Sequence, residues 1–98
     1  MAIAKYVLAA NERKRYQIDY SDWLDIGEAV AGVTFAIDKA STPPLLIDDV
    51  MVTPDAFGVQ YYISGGVNNV TYEVTATMTT TQGQVREDAI VVTIREPM

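Results

Sequence analysis

Cysteine and histidine are both missing from the 98 residues, and each absence removes chemistry. Without cysteine no disulfide can staple the fold, which sets the chain apart from small secreted domains that depend on such staples. Without either residue the usual zinc ligands, the common nucleophile-base pairs and the proton shuttle of neutral pH are gone. No metal and no other cofactor is therefore expected, and an enzyme would have to be built on carboxylates alone. Long apolar runs are missing too: none reaches the length that crosses a bilayer, so no membrane partner is expected. The opening MAIAKYVLAANERKR is broken by Lys5, and its other charges follow the apolar residues. A secretory leader has the reverse order, and synthesis inside the cell is the expectation.

What is present describes one small domain. The apolar fraction of 49 % is ordinary for a packed protein, and the length leaves no room for a second core. The net charge is −6, unevenly placed. Up to residue 15, Lys5, Arg13, Lys14 and Arg15 face only Glu12, a net +3; from Tyr16 onward three cations face twelve acids, a net −9. Such a body is expected to repel nucleic acid, which needs a basic face. A basic lead on an acidic body suits contacts between copies of the chain or with another acidic subunit; it reads equally as a solvated lead-in to the first strand. Residues 1–14 are expected to form an N-terminal arm, as a short edge strand, a short helix or a segment ordered by a partner, and 15–98 the domain. Arg13, Lys14 and Arg15, where the two meet, are candidate partner contacts.

Residues 70–94 organise the rest. Tyr72, Val74, Ala76 and Met78 alternate with Glu73, Thr75, Thr77 and Thr79, and after a turn at Gln82 and Gly83 the alternation resumes through Ile90, Val92 and Ile94. This period of two is that of a long β-hairpin with one face on a core. Earlier strands are expected where Tyr16, Ile18 and Tyr20 share a face, where Ala31, Val33, Phe35 and Ile37 do, with Phe35 at the centre of the core, within 45–53, and where Val59, Tyr61 and Ile63 oppose Gln60, Tyr62 and Ser64. Pro43 and Pro44 interrupt pairing, as do Pro54-Asp55 and Ser64-Gly65-Gly66. About seven short strands and no helix make an all-β protein, an immunoglobulin-like β-sandwich. Tyr72, just after a turn, stands where a tyrosine-corner residue would, with its hydroxyl on backbone near residues 66–69.

Few residues carry chemistry. Asp19, Asp22 and Asp25 recur at spacing three, without the alternating ligands, central glycine and closing glutamate of a calcium loop. They read as solvated turn residues. Adjacent Asp48 and Asp49 point to opposite faces if they lie in a strand, so they do not form an acid-base pair. Gly65-Gly66 lacks the helix and lysine of a phosphate cradle. The sequon Asn69-Val70-Thr71 has meaning only on a secretory route. Trp23, between acids, reads as a half-buried anchor or an aromatic contact, and Tyr62, opposite Tyr61, as a ring offered to a partner. No catalytic residue and no small-molecule substrate is indicated.

Taken together, Ile18-Asp19-Tyr20-Ser21-Asp22-Trp23-Leu24, Ile63-Ser64-Gly65-Gly66, and Tyr72-Glu73-Val74-Thr75-Ala76 followed by Thr79-Thr80-Thr81-Gln82-Gly83-Gln84 resemble the phage fiber-tail adaptor proteins, small virion proteins of tailed bacteriophages. Gln84 stands where an arginine is common in that family, and Arg95-Glu96 fills its basic-acidic ending. The likeness covers residues 16–96 in order and leaves the arm outside. It implies an immunoglobulin-like structural protein of the virion, made in the bacterial host cytoplasm. Such a protein would link the tail to fibers or other adsorption proteins, in contact with tail, fiber or head-tail connector subunits and with copies of itself, and without catalysis. A capsid decoration protein and a carbohydrate-binding module with an aromatic platform are the competing readings.

Overall fold

The computed structural model describes residues 2–95, with side chains from Ala4 onward. Seven strands follow one another: β1 (Ala2–Leu8), β2 (Arg13–Asp19), β3 (Val30–Ile37), β4 (Leu45–Val52), β5 (Gly58–Gly65), β6 (Thr71–Thr80) and β7 (Val85–Ile94). They form a four-stranded sheet in the order β1-β7-β6-β3 and a three-stranded sheet in the order β2-β5-β4. The described residues contain no helix. All pairings are antiparallel except that β1 lies parallel to β7. The all-β class read from the alternation is what the chain adopts.

Alternation decides which side chains meet. Tyr72, Val74, Ala76 and Met78 of β6, Ile90, Val92 and Ile94 of β7, and Val59, Tyr61 and Ile63 of β5 are all fully buried. With Ile18, Tyr20, Val30 and Leu45 they make a single core between the two sheets. Residues of opposite parity on β6 and β7 stay at least partly exposed, as a pleated strand requires. The hairpin turns where expected, Thr80 N–H donating to the Gln84 carbonyl and Gly83 N–H to the Thr80 carbonyl.

Residues 2–14 supply β1 and the start of β2, so that of the forms expected for residues 1–14 the short edge strand is the one present; Leu8 is buried in the core and the Tyr6 ring stacks on Tyr16 at 3.8 Å, tying the edge of one sheet to the edge of the other. Two details differ from the sequence reading. In β3 a register shift between Val30 and Gly32 turns Val30 inward and leaves Ala31 exposed; a bulge places two residues against one and so resets the alternation. Phe35 is half-buried and packs at 4.8 Å against Tyr61, which holds the central place assigned to Phe35.

The Ser64-Gly65-Gly66 turn shows why glycine sits there. A Cβ on Gly65 would come within 2.5 Å of the Pro44 carbonyl oxygen; one on Gly66, at a φ of +87°, would come within 2.9 Å of Ile94 and 3.3 Å of the Tyr72 ring. Both positions therefore exclude larger residues. The space so kept is filled by Tyr72, whose hydroxyl accepts from Val67 N–H at 2.9 Å and lies 2.8 Å from Ser41 Oγ. Sequence spacing had put that hydroxyl on this backbone.

Candidate functional site

Three surfaces gather the chemistry of this chain, and two of them lie along β2. At the start of that strand Arg13, Lys14 and Arg15 are all exposed. Because β2 pairs with β5 so that Arg15 faces Tyr62 and Arg13 faces Ser64, the Arg13 guanidinium lies over the Tyr62 ring, 3.9 Å from its centre. It reaches past that ring to β4, where it pairs with Asp48 at 3.2 Å and with Asp49. The two carboxylates come together at a break in register between Asp48 and Met51, with Asp49 at positive φ. Adjacent strand residues normally diverge; the bulge is what lets one arginine hold both.

The other end of β2 opens on a cleft of about 330 Å³ between the edges of the two sheets, lined by Tyr6, Gln17, Asp19, Tyr20, Asp22, Trp23, Arg86 and Asp88, among others. Trp23 is half-buried here, with the Arg86 guanidinium 5.6 Å from its ring centre. Arg86 Nε donates to Asp88 Oδ2 at 2.8 Å. Burial, and then the charge of Asp88, push the Tyr20 hydroxyl up to about 12, so it stays protonated at neutral pH. Burial likewise holds the Tyr61 hydroxyl protonated, well above the ordinary phenol range. Neither hydroxyl has a hydrogen-bond partner among the described residues.

The third surface is the tip formed by residues 20–29, 53–57 and 81–84. Glu28 is the pin: although ionisable, it is only 2 % exposed. Its carboxylate accepts from Thr80 Oγ1, from Asp25 N–H at 3.0 Å and from Gln84 Nε2 at 2.9 Å. The Thr80 hydroxyl bond, followed by the Asp25 backbone N–H, holds the carboxyl below its ordinary range. Backbone bonds add to the lacing, with Val30 N–H on the Ala56 carbonyl, Tyr20 N–H on that of Phe57 and Thr81 N–H on that of Ala29. On this frame Ile26 stands fully exposed and Phe57 is 43 % exposed.

The residues singled out from sequence are thus divided. The structure brings Arg13 onto Tyr62, and gives Trp23 a different partner, Arg86. Lys14 and Arg15 make no ion pair among the described residues. Asp19 accepts from Ser21 N–H within its own turn, and Asp25 accepts from Gln84 across the tip; among the described residues no group of three or more acidic side chains is placed to hold a metal ion. Sequence reasoning missed Glu28 and the Arg86–Asp88 pair. Arg86 and Asp88 share one strand face at spacing two, a usable signal. Glu28 offered none, because two of its three partners come from 52 and 56 residues away.

Compared with known families, residues 9–93 match the podophage GP4 fiber-tail adaptor protein gp77 family. The chain belongs to that family. The match takes in six of the strands, from β2 to β7, and reaches all three surfaces. It is the family that the Trp23, Gly65-Gly66 and Tyr72 segments resemble. No curated protein matches the chain.

Proposed function

We propose that this chain is a structural adaptor of a podophage virion, linking the tail to fibers or other adsorption proteins through protein-protein contacts. The observation that carries the proposal is family membership over 9–93. We read the fold as immunoglobulin-like. Four features support it: a four-stranded and a three-stranded sheet, β1 parallel to β7, β2-β5-β4 antiparallel, and a tyrosine at the start of β6 whose hydroxyl accepts from backbone five residues upstream.

In this reading the work is done by shape and surface, not by turnover. Partners are other phage structural proteins and further copies of the chain, and nucleic acid is no partner of so acidic a body. Trp23, Tyr62, Arg13, Lys14 and Arg15 are the proposed contacts. Arg86 over the Trp23 ring occupies the place where a sugar would stack, which weighs against an aromatic glycan platform. The test is genetic. Phage lacking the chain are expected to yield heads and tails without attached fibers; particles with their full set of fibers would refute the adaptor role.

A further inference from the structure

Four strands lie at sheet edges, β1, β3, β2 and β4, and three of them carry an irregularity that spoils pairing with another chain. Register breaks between Ala2 and Ala4 in β1, between Val30 and Gly32 in β3, and between Asp48 and Met51 in β4. Bulges of this kind are how sheet proteins blunt an edge. The β2 strand has no such break: it pairs with β5 residue for residue from Arg13 to Asp19, contains no proline, and among the described residues meets no strand on its other side. Its outer backbone row is an open template.

The sequence of that edge is complementary to itself. Read in opposite directions about Gln17, Arg15 falls opposite Asp19 and Tyr16 opposite Ile18. Arg15 and Asp19 are both exposed, and Arg15 has no ion pair among the described residues. The paired register spans residues 15–19 of each copy, and the like charges Glu12 and Asp22 lie, with Tyr20 and Ser21, beyond the strand ends.

We propose that two copies of this chain pair antiparallel along β2, with Gln17 on the two-fold axis and Arg15 of each copy against Asp19 of the other. The two three-stranded sheets join into one of six strands. Main-chain bonds give the contact strength, and the doubled charge pair sets its register. A two-fold contact cannot repeat around the single polar axis of a tail. The dimer is therefore the form of the free chain, and its β2 edge is handed to another subunit on assembly. That last step rests on the adaptor role, whereas self-association of the isolated chain does not.

The experiment is sedimentation velocity on the purified full chain over a range of concentration and salt. The wild type is expected to show a monomer-dimer equilibrium that weakens as salt rises. Arg15→Asp and Asp19→Arg are each expected to raise the dissociation constant by roughly tenfold or more, since both place like charges opposite each other. The double variant, which swaps the charges in both copies, should return to within about threefold of the wild type. Both positions are exposed, and circular dichroism checks that each variant keeps its fold. A chain that stays monomeric at every concentration, a dimer indifferent to the single reversals, or a double variant that fails to recover would each overturn the proposal. Loss of fibers from mutant phage bears on the adaptor role alone.

Discussion

The two ends of this molecule hold their loops by one buried side chain each, and the two side chains are chemical opposites. At the end where β5 leads into β6, Tyr72 fills the space kept open by Gly66 and pins the turn through Val67 N–H and Ser41. At the tip, Glu28 pins its own loop to the β6–β7 turn through Asp25, Thr80 and Gln84. A phenol with an apolar ring contributes mostly packing. A carboxylate contributes charge-assisted hydrogen bonds and depends on having lost its proton. The fold therefore has one end held by packing and one end held by an ionised carboxylate that acid can discharge. That sensitive end carries the exposed Ile26 and Phe57.

Substitutions can break this contrast at either end. Gly66→Ala is expected to have the largest effect, roughly 2–4 kcal/mol in denaturant unfolding, because it adds a crowded methyl at positive φ against Ile94 and Tyr72. Glu28→Ala comes next. It strands the Thr80 hydroxyl proton and the Asp25 N–H and leaves the Gln84 amide to Asp25 alone, and should lower the melting temperature more than any change at Tyr72 that keeps the ring. Tyr72→Phe keeps the packing and loses the Val67 bond, at a cost of about 1 kcal/mol. An unchanged melting curve would remove the tyrosine from this role.

The smallest effect sharpens the comparison through pH. The folded carboxyl of Glu28 loses its proton more readily than the unfolded one. Its contribution is therefore fully present above the unfolded value of about 4.3, and is lost as pH falls through the lower folded value. Stability measured from neutral pH downward should fall in that window, and Glu28→Gln should flatten this part of the curve. Equal slopes for wild type and Glu28→Gln would mean that the acid sensitivity lies elsewhere.

The same contrast shows what a sequence can reveal. Tyr72 was legible because its role is local: a turn with two glycines, an aromatic at the first inward position of a strand, and a hydroxyl reaching back a few residues. The β6–β7 hairpin and the inward rows of β2 and β5 were legible for the same reason, through period-two alternation. Glu28 was not, since an isolated acid in a loop looks solvated until Thr80 and Gln84 arrive from across the fold. The bulges in β3 and β4 were hidden too, as a bulge is an adjustment between two strands; one of them displaced Ala31 from the core and the other joined Asp48 and Asp49 on Arg13. Edge strand β1 was one of three forms left open by its Ala-Ala-Asn stretch and charges, and the Tyr6–Tyr16 stack closes it onto the body.

Trp23, Tyr62 and the basic start of β2 are well-formed surfaces in search of their neighbours, and location in the particle is what gives them meaning. The most direct measurement is a cryo-electron microscopy map of the intact virion into which this fold is docked. The account predicts copies at the junction of tail and fibers, with β2, the cleft beside it or the Ile26–Phe57 tip covered by other subunits. Copies on the capsid surface, or none in the particle, would contradict it.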